Sequence, residues 1–517
     1  MDDANNPAGR RRVATRPTEA LRAREMTISG QSSIDKRELL AALHRFLPDD
    51  VILHAREDLR PYECDGLSAY RQTPMIAVLP HTIEQVQQIM RVCQERCVPV
   101  VARGAGTGLS GGALPLGNGL LLSLARFMSI LDIDPVNRTM RVQPGVRNLA
   151  ISEAAAPHGL YYAPDPSSQI ACTIGGNVAE NAGGVHCLKY GLTVHNILKL
   201  KMVTMDGELL TFGADAPDAP GFDLLALATG SEGMLGVIVE VTVKLIPKPE
   251  TARVVLAAFD DVEHAGAAVG AVIAAGIVPA GLEMMDNPAI RAAEAFVHSG
   301  YPVDAAAILL CELDGTAESV ADDIDQVSAI MAHCGASATR VSRDETERAK
   351  FWAGRKMAFP AMGRISPDYY CTDGTIPRKH LPRVLRRIQE LGRKHELAVA
   401  NVFHAGDGNL HPMILYDASR PGELERVEKL GGEILRLCVE VGGTITGEHG
   451  VGVEKINQMC DQFSSAELTQ FHAIKAAFDP KGLLNPGKAV PLLKRCAEYG
   501  GLHVHAGELP FPELERF

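Results

Sequence analysis

Apolar and polar positions divide the chain into two halves with different predicted secondary structure. In the first half, apolar runs predict buried strands at 75–79, 98–102, 119–124, 139–143, 197–205 and 236–245. Thr82 and Gln85 have the spacing of a capping box, which predicts a helix to about residue 96, and residues 36–60 also look helical. Asp206-Gly207 predicts a hairpin turn. We expect a strand-rich domain over 36–250 after a disordered tail at 1–35.

The second half alternates strands with longer amphipathic helices. Strands are predicted at 252–259, 279–285, 306–313 and 398–403, and helices at 261–276, 316–334, 344–358, 379–396 and 421–441. This order predicts an α+β domain over 251–490, with helices on one face of a sheet, and then a tail at 491–517. The apolar run 265–282 has the length of a membrane span. Its four glycines and Pro279 instead predict a small-residue helix followed by a strand.

Composition narrows the classes of function. The chain has 517 residues, enough for two or more domains, and its net charge of −12 argues against non-specific binding to nucleic acid. Eleven cysteines without a Cys-x-x-Cys pair argue against an iron–sulfur or zinc ribbon and indicate a reducing compartment. No apolar segment of a secretory signal precedes the first domain. We expect a cytoplasmic protein.

Three glycine-rich segments, at 103–113, 173–184 and 229–236, indicate a cofactor with a pyrophosphate. Gly106, Gly108 and Gly111 match the dinucleotide fingerprint, which requires a helix directly after the glycines. Pro115 and Gly117 prevent such a helix, so we reject a Rossmann fold. A glycine loop between strands can still bind phosphate through successive backbone N–H groups. A single such segment is often an ordinary turn, but three in order are improbable as turns alone.

Histidines and a carboxylate in Gly-rich turns predict a metal site. His404 and His411 are the ends of His-Ala-Gly-Asp-Gly-Asn-Leu-His, and Glu448 and His449 lie in a second turn. Two imidazoles and a carboxylate can hold a divalent cation with open coordination positions, and the remaining imidazole can serve as a base. A lone histidine is more often a satisfied surface or core residue, but this combination favours ligands.

The chain resembles a known family in several separated segments. Those segments are residues 103–113, Pro164-Asp-Pro-Ser-Ser168, Gly175-Gly-Asn177, Gly230-Ser-Glu-Gly233, both histidine motifs and Leu484-Asn-Pro-Gly487. The first part resembles the FAD domain of the vanillyl-alcohol oxidase/PCMH type, and the second is similar to the C-terminal domain of FAD-linked oxidases. The resemblance spans about residues 40–490 and implies an α+β fold, a PCMH-type FAD-binding domain followed by a ferredoxin-like α+β cap domain.

The resemblance implies FAD bound by the glycine segments, with Asn485 near the isoalloxazine end. Some members attach the flavin covalently through a histidine of the first glycine loop. Residues 103–113 contain no histidine, so we infer non-covalent FAD. The candidate cofactor-binding residues are Arg103, Gly104, Gly106, Thr107, Gly108, Pro164, Asp165, Ser168, Gly175, Gly176, Asn177, Asn181, Gly183, Gly184, Glu232, Gly233, Gly236, Ile238 and Asn485.

The resemblance also assigns roles at the second site. It implies that His404, His411 and Glu448 bind a divalent metal, Zn or Mn, and that His449 is the general base. Arg355, in Phe-Trp-Ala-Gly-Arg-Lys, resembles the family's carboxylate-binding segment, although a solvated helix face is about as probable from the residues alone. Lys356 and Tyr370 are secondary candidates for the pocket. Members that take a longer dicarboxylate have a polar residue and a lysine where this chain has Phe359 and, roughly, Cys371.

That departure favours a short substrate. The family contains FAD-linked 2-hydroxy-acid dehydrogenases, including flavin subunits of bacterial glycolate oxidases, which this chain resembles most closely. The resemblance implies oxidation of glycolate or D-lactate, with a second flavin subunit and an iron–sulfur subunit as partners near the inner membrane. Three alternatives remain open: a D-lactate dehydrogenase, a non-catalytic flavoprotein that relays electrons, and a metallohydrolase that uses the histidines alone.

Overall fold

The computed structural model describes residues 35–216 and 221–491. The strands of the first half are β1 (Ile52–Leu53), β2 (Ile76–Val78), β3 (Val100–Arg103), β4 (Leu120–Ser123), β5 (Ile130–Asp134), β6 (Thr139–Val142), β7 (Leu160–Tyr161), β8 (Ile197–Val203), β9 (Leu209–Gly213), β10 (Val237–Lys244) and β11 (Ile246–Pro247). Its α-helices are α1 (Lys36–Leu43), α2 (Arg56–Leu59), α3 (Ile83–Glu95), α4 (Asn148–Ala155), α5 (Ile174–Glu180), α6 (Cys187–Tyr190) and α7 (Leu224–Ala228).

Two main sheets form the first half, and they contain the strands that its apolar runs predict. The first has the order β1-β2-β4-β3, with β2, β4 and β3 parallel and buried against α3, which is capped by Thr82. The second has the antiparallel order β5-β6-β10-β8-β9. The hairpin between β8 and β9 turns at Asp206-Gly207, where Gly207 has a φ of +79° that favours glycine. That predicted turn is confirmed.

The second half contains one large sheet and longer helices. Its strands are β12 (Thr251–Phe259), β13 (Gly281–Asp286), β14 (Ala307–Gly315), β15 (Ala336–Val341), β16 (Asp368–Cys371), β17 (Gly374–Thr375), β18 (Ala398–His404), β19 (Asn409–Leu410) and β20 (Pro412–Tyr416). Its α-helices are α8 (Val262–Ala274), α9 (Asn287–Val297), α10 (Ala317–His333), α11 (Glu345–Lys356), α12 (Ala358–Ala361), α13 (Leu381–His395), α14 (Glu423–Glu440), α15 (Met459–Gln462) and α16 (Ser465–Phe478).

Helices cover both faces of this sheet, so the prediction of one covered face was wrong. Alternate residues of β12 show why. Val255 and Phe259 pack in a core with α8, α10, α13 and α14, whereas Val254 and Leu256 pack on the opposite side with α9, α11 and α12. A strand with one face in solvent alternates apolar and polar residues, whereas a strand buried on both faces reads as a continuous apolar run. Residues 254–259 are such a run, so the signal for two covered faces was present in the sequence.

Other differences concern the ends of predicted elements. The predicted helix at 36–60 is only α1, followed by a 3₁₀ turn at Asp49–Val51, the strand β1 and the short α2. The run 265–282 forms parts of α8 and β13, as predicted, and none of the helices in the described ranges is long and apolar enough to cross a membrane. The predicted tails at 1–35 and 491–517 lie, except for residues 35 and 491, outside the described residues.

The C-terminal segment returns to the first half. The backbone N–H of Val100 donates to Leu483 O at 2.8 Å, and that of Asn485 donates to Val100 O at 2.8 Å. Leu483 and Leu484 are buried in the core of the first sheet. The segment after α16 therefore places the backbone of Asn485 beside the start of β3, and its side-chain amide donates to Gly112 O in the first glycine segment.

Candidate active site

A hairpin holds the two histidines of the first motif. His404 is the last residue of β18, and His411 lies between β19 and β20. The turn between them requires Gly408, whose φ is +83° and whose Cα approaches Ile376 O so closely that a Cβ would lie 2.2 Å from that oxygen. Both imidazoles are buried, and their ring centroids are 5.1 Å apart. The hairpin thus directs both side chains to one place.

Glu448 reaches the same place from a distant turn. Its Oε1 lies 3.3 Å from His404 Nε2 and 3.3 Å from His411 Nε2. Burial alone would raise the pKa of Glu448, but the nearby imidazoles, His404 first, lower it to about 2. Oε2 of Glu448 and Nε2 of His411 are buried and have no hydrogen-bond partner among the described residues. Converging donor atoms without partners suit a divalent cation.

Asp373 shapes the turn that carries Glu448. Its carboxylate accepts backbone N–H groups of Gly447 at 3.0 Å, Glu448 at 3.2 Å and His449 at 2.9 Å. It also accepts from Thr446 Oγ1 at 2.7 Å. Burial would raise the pKa of Asp373, but His449 and other neighbouring groups hold it well below its usual value. The sequence reasoning missed Asp373, although an acidic residue directly before Gly374 in an apolar segment was a usable signal.

His449 lies beside this set of donor atoms. Its ring is stacked on His411, and its Nε2 is 3.8 Å from Glu448 Oε1. Its Nδ1 is buried without a hydrogen-bond partner in the described part of the chain. Burial lowers the pKa of His449 to about 4, although Asp373 opposes this. The imidazole is therefore neutral near pH 7 and can accept a proton.

Arg355 is connected to the metal candidates through one carboxylate, that of Glu283. It is on α11, 1% exposed, with Nε 2.8 Å and Nη2 2.6 Å from Glu283 Oε2. The other oxygen of Glu283 is 2.8 Å from His404 Nδ1. Sequence reasoning missed Glu283, one of two acidic residues in the otherwise apolar strand β13, the other being Asp286 at its end. The signal for Glu283 was weak, because a charge in a strand more often marks an exposed position.

Of the other pocket candidates, Phe359 and Cys371 lie near the cluster or a cavity, whereas Lys356 and Tyr370 lie elsewhere. Phe359 has its ring 6.2 Å from that of His411 and 6.1 Å from that of Tyr369. Tyr369 and the buried Cys371 also line a cavity of about 130 Å³ between the two halves of the chain. Lys356 is exposed at the end of α11. Tyr370 packs in the core on the α14 side of the sheet.

The three glycine segments meet one another. A Cβ at Gly104 would lie 2.4 Å from Thr173 Oγ1, so the first and second segments are in close contact. The N–H groups of Gly230 and Glu232 donate to carbonyls of α5 at 2.8 Å, which joins the third segment to the second. Asn485 Nδ2 donates to Gly112 O at 3.0 Å and to Glu232 O at 2.7 Å. Asn485 thereby connects the first segment to the third.

Several cofactor candidates already have protein partners. Asp165 accepts from the backbone of His186 at 3.1 Å and pairs with its ring at 2.9 Å. Asn181 Oδ1 accepts from Val194 N at 2.9 Å. Ile238 packs in the core of the second sheet, and a Cβ at Gly236 would meet Met202 at 2.6 Å. The remaining candidates lie along the same segments: Arg103, Gly106, Thr107, Gly108, Pro164, Ser168, Gly175, Gly176, Asn177, Gly183, Gly184 and Gly233.

The meeting point of these segments fits FAD. Ser110 Oγ, Thr173 Oγ1 and Asn485 Oδ1 are buried polar atoms without a hydrogen-bond partner in the described ranges. A Cβ at Gly108 would meet nothing within 4 Å, so this loop borders open space. Unpaired buried groups around a backbone-lined space suit a polar cofactor. A Cβ at Gly183 would lie 2.7 Å from Glu448 Oε2, so the second segment also borders the histidine and carboxylate cluster.

Fold and site together define an FAD-dependent oxidoreductase. A family model described as "FAD binding domain" matches residues 74–213, and one described as "FAD linked oxidases, C-terminal domain" matches residues 248–489. The chain belongs to the family of FAD-linked oxidases. The resemblance inferred from the motifs is thus confirmed, as is the two-domain α+β fold.

Individual relatives agree with this family. The chain is 68% identical to glycolate oxidase subunit GlcD of Escherichia coli (strain K12), over 94% of this chain and 97% of the relative. It is 31% identical to D-lactate dehydrogenase of Anaerostipes hadrus, over 82% of this chain and 91% of the relative. The solved structure of 4-ethylphenol oxidase from Gulosibacter chungangensis has a TM-score of 0.77 at 17% identity, covering 90% of this chain and 99% of that one. This last likeness concerns the fold alone.

Proposed function

We propose that this chain oxidises a short 2-hydroxy acid, glycolate to glyoxylate first and D-lactate to pyruvate second, with hydride transfer to non-covalent FAD. The relatives named glycolate oxidase subunit and D-lactate dehydrogenase support this choice of substrates. One contact carries the proposal: Gly183, in a proposed flavin-binding segment, directly borders Glu448 of the proposed metal set. The two chemistries therefore share one site.

His404, His411 and Glu448 would hold a divalent cation, Zn or Mn. Bound there, the metal would supply Lewis acidity toward the substrate's hydroxyl and carboxylate oxygens, and the flavin would accept two electrons. The donor atoms of His404, His411 and Glu448 all lie within 4.8 Å of one another. A cation held by only three protein ligands would still be able to take oxygen atoms of the substrate.

His449 is the proposed general base. Its Nε2, the nitrogen nearer to Glu448, takes the hydroxyl proton while the substrate Cα loses its hydride, so the alcohol becomes a carbonyl. Burial keeps this imidazole neutral, because its pKa is lowered to about 4. The histidine is therefore unprotonated across the physiological range, with a free lone pair, although it is a weaker base than an ordinary imidazole.

Arg355 and Phe359 would set the substrate's orientation and length. Nε of Arg355 donates to Glu283, whereas Nη2, an ion-pair distance of 2.6 Å from Glu283 Oε2, is buried without a hydrogen-bond partner among the described residues. A substrate carboxylate would therefore be bound through the Nη atoms. The ring of Phe359 lies 6.2 Å from that of His411, where it would limit the length of a chain beyond C2. This pair would favour a two- or three-carbon acid, because one extra methylene in an apolar pocket changes kcat/KM by about tenfold to 200-fold.

The chain would work within an assembly. Its relative is named a subunit of glycolate oxidase, and we propose a second flavin subunit and an iron–sulfur subunit as partners that take electrons from reduced FAD at the inner membrane. The FAD contacts proposed are those of the glycine segments and Asn485. A D-lactate dehydrogenase is the second candidate, supported by the relative of that name.

Anaerobic bleaching of the flavin tests this function. The purified FAD-loaded chain is mixed with glycolate, D-lactate, L-lactate and D-2-hydroxyglutarate, before and after removal of metal with a chelator. We expect bleaching by glycolate, its loss with chelator and its recovery with Zn²⁺ or Mn²⁺. A much higher rate with D-lactate would favour the second candidate. Bleaching by none of these acids would favour a non-catalytic flavin relay, and a colourless hydrolytic protein would favour a metallohydrolase.

A further inference from the structure

One buried carboxylate separates a histidine of the proposed metal set from an arginine. Glu283 on β13 is the cross-strand partner of His404 on β18, so both side chains lie on the same face of the sheet. Its Oε1 is 2.8 Å from His404 Nδ1, and its Oε2 is 2.6 Å from Arg355 Nη2. Each oxygen therefore has a different partner, and no metal ligand is bonded to Arg355 itself.

The two neighbours of Glu283 explain why a carboxylate occupies this position. Both neighbours are donors, a ring N–H and a guanidinium, and a carboxylate is the side chain that accepts on two oxygens without donating. Its charge also balances the buried guanidinium, whose isolation in the interior would be costly. Without this negative charge, a divalent cation bound by His404 would lie near the positive charge of Arg355, with no carboxylate between them to offset it.

The contact also decides which nitrogen of His404 is available. Since Nδ1 faces the carboxylate of Glu283, it would keep its proton when a cation is bound, and Nε2, 3.3 Å from Glu448 Oε1, would present its lone pair to that cation. A ring that is free to rotate or to change tautomer would present this lone pair only part of the time. Hydrogen bonds from a ligating imidazole to a carboxylate also increase the basicity of the ligating nitrogen.

We propose that Glu283 is a positioning residue that fixes His404 for metal binding and Arg355 for substrate binding with one carboxylate. The inference rests on the proposed function, because it assumes the metal set described above. It extends that function by assigning a residue outside the ligands and the base. It also predicts that metal affinity and the substrate's carboxylate site are coupled through a single side chain.

The chain contains a matched control for this residue. Glu312 on β14 is the cross-strand partner of Gly281, two residues from Glu283, so it lies on the same face of the sheet. It is 3% exposed against 1% for Glu283, and it accepts from Arg348 at 2.6 Å on the same helix α11. Its histidine partner is His186, which is not in the proposed metal set.

The experiment compares Glu283→Gln with Glu312→Gln in the purified FAD-loaded chain. Both variants remove a buried charge that faces an α11 arginine, but only the first weakens the contact with His404. Affinity for Zn²⁺ is measured by competition with a chromogenic chelator, and Co²⁺ loading gives a visible spectrum that reports ligand geometry. We expect Glu283→Gln to weaken Zn²⁺ binding by about tenfold to a hundredfold and to change the Co²⁺ spectrum. Glu312→Gln should keep both.

Substrate readouts separate the two roles of the carboxylate. Arg355→Gln keeps the contact between Glu283 and His404, so we expect wild-type Zn²⁺ affinity with a raised KM. Glu283→Gln should change both quantities. Should the Gln variant fail to fold, Glu283→Asp keeps the charge but withdraws it by one methylene, and we expect the same direction of change in Zn²⁺ affinity.

The outcomes distinguish this inference from the function on which it rests. Zn²⁺ affinity and Co²⁺ spectra that are unchanged in a folded Glu283 variant would overturn the inference and leave the metal site intact. Equal losses in Glu283→Gln and Glu312→Gln would also overturn it, because they would indicate a general loss of structure. A wild-type chain that binds no Zn²⁺ would refute the metal site, and the inference with it.

Discussion

The imidazole rings of His411 and His449 are stacked, with centroids 4.8 Å apart and planes 2° from parallel. In our proposal the first ring binds the metal and the second takes the proton. The stack fixes the plane of His449, and the bond from its backbone N–H to Asp373, 2.9 Å long, fixes its main chain. The proposed base is thus held in place before substrate arrives, which is how positioned groups accelerate proton transfer.

Replacing His449 with Gln should separate proton transfer from metal binding. The amide keeps similar volume but cannot act as a base near pH 7. We expect the rate of flavin reduction by glycolate to fall by about 10² to 10⁴, the usual contribution of a positioned base. Zn²⁺ affinity and flavin content should stay close to wild type. Anaerobic stopped-flow absorbance measures the rate, and chelator competition measures the metal.

The exposed His158 offers a control, and His158→Gln should leave both quantities unchanged. If His449→Gln reduced flavin at the wild-type rate, another group would have to take the proton. If it instead released the metal with full loss of Zn²⁺ affinity, His449 would be a ligand rather than the base. Either result would contradict the assignment.

Asp373→Asn should disrupt the turn that presents Glu448. Three backbone N–H groups converge on this carboxylate, and an amide would direct an NH₂ group at some of them. A buried donor facing donors leaves several groups unsatisfied, and we expect a loss of about 3 kcal/mol in the free energy of unfolding. Zn²⁺ affinity should fall as well, because Glu448 moves with the turn. Urea unfolding of the metal-free chain measures the first effect.

Asp417 allows a comparison at a more exposed turn. Its Oδ1 accepts from Ser419 N at 3.0 Å in the turn after β20, away from the cluster. Asp417→Asn should therefore leave Zn²⁺ affinity unchanged. An Asp373→Asn variant with both wild-type stability and wild-type Zn²⁺ affinity would show that the turn forms without the carboxylate.

Local sequence patterns account for one part of the proposed metal site but not for the residue that supports it. His404 and His411 could be placed together because one short hairpin contains both. Glu283 could not be connected to them, since it is 121 positions from His404 and only the order of strands β13 and β18 makes them neighbours. Strand order depends on packing of the whole sheet, which no local window of sequence contains.

Two helices of the structure, α16 and α5, were not predicted from the sequence, and only the first had a local signal. The helix α16 has a capping box in which Ser464 accepts from Glu467 N and Glu467 accepts from Ser464 N. That signal is visible in the sequence, but the weak apolar periodicity of 465–478 hid it. The helix α5 is different, because its two glycines argue locally against a helix. Contacts of α5 with β10 and the third glycine segment override that propensity.

His186→Gln should weaken the contact between the two halves in a pH-dependent manner. Burial lowers the pKa of His186, but Asp165 and Glu312 raise it from 6.5 to about 10. Stabilisation by such a group is complete below the unfolded pKa of 6.5 and is lost as the pH rises through 10. Burial raises the pKa of Glu312, but His186 and Arg348 lower it from 4.5 to about 2, so its contribution is lost as the pH falls toward 2.

Both contributions are therefore complete only between pH 4.5 and pH 6.5. In that window we expect His186→Gln to lower the free energy of unfolding by about 2 kcal/mol, and the difference should shrink toward pH 10. Urea unfolding in buffers across this range measures it. His333→Gln, at an exposed position, should show no such trend. A difference that is constant with pH would contradict the ionic origin of the contact.

Phe359→Ala should widen the range of substrates. The Phe359 ring lies between His411 and Tyr369, at 6.2 Å and 6.1 Å, where the side chain of a bound hydroxy acid would extend from C2. Truncation should admit D-2-hydroxybutyrate and raise its kcat/KM relative to that of D-lactate, which is one methylene shorter, by about tenfold, within the range for one methylene in an apolar pocket. Steady-state turnover of both acids with an artificial electron acceptor measures the ratio.

The ratio of the two kcat/KM values matters more than either rate, because loss of a large side chain can also slow every substrate by loosening the site. Phe296, partly exposed on α9, provides the matched truncation away from the site, and Phe296→Ala should leave the ratio unchanged. A wild-type ratio in Phe359→Ala would mean that another group limits substrate length. The aromatic wall formed by Phe359 and Tyr369 would then serve to exclude water from the cluster, and the preference for short acids would have to come from how Arg355 holds the carboxylate.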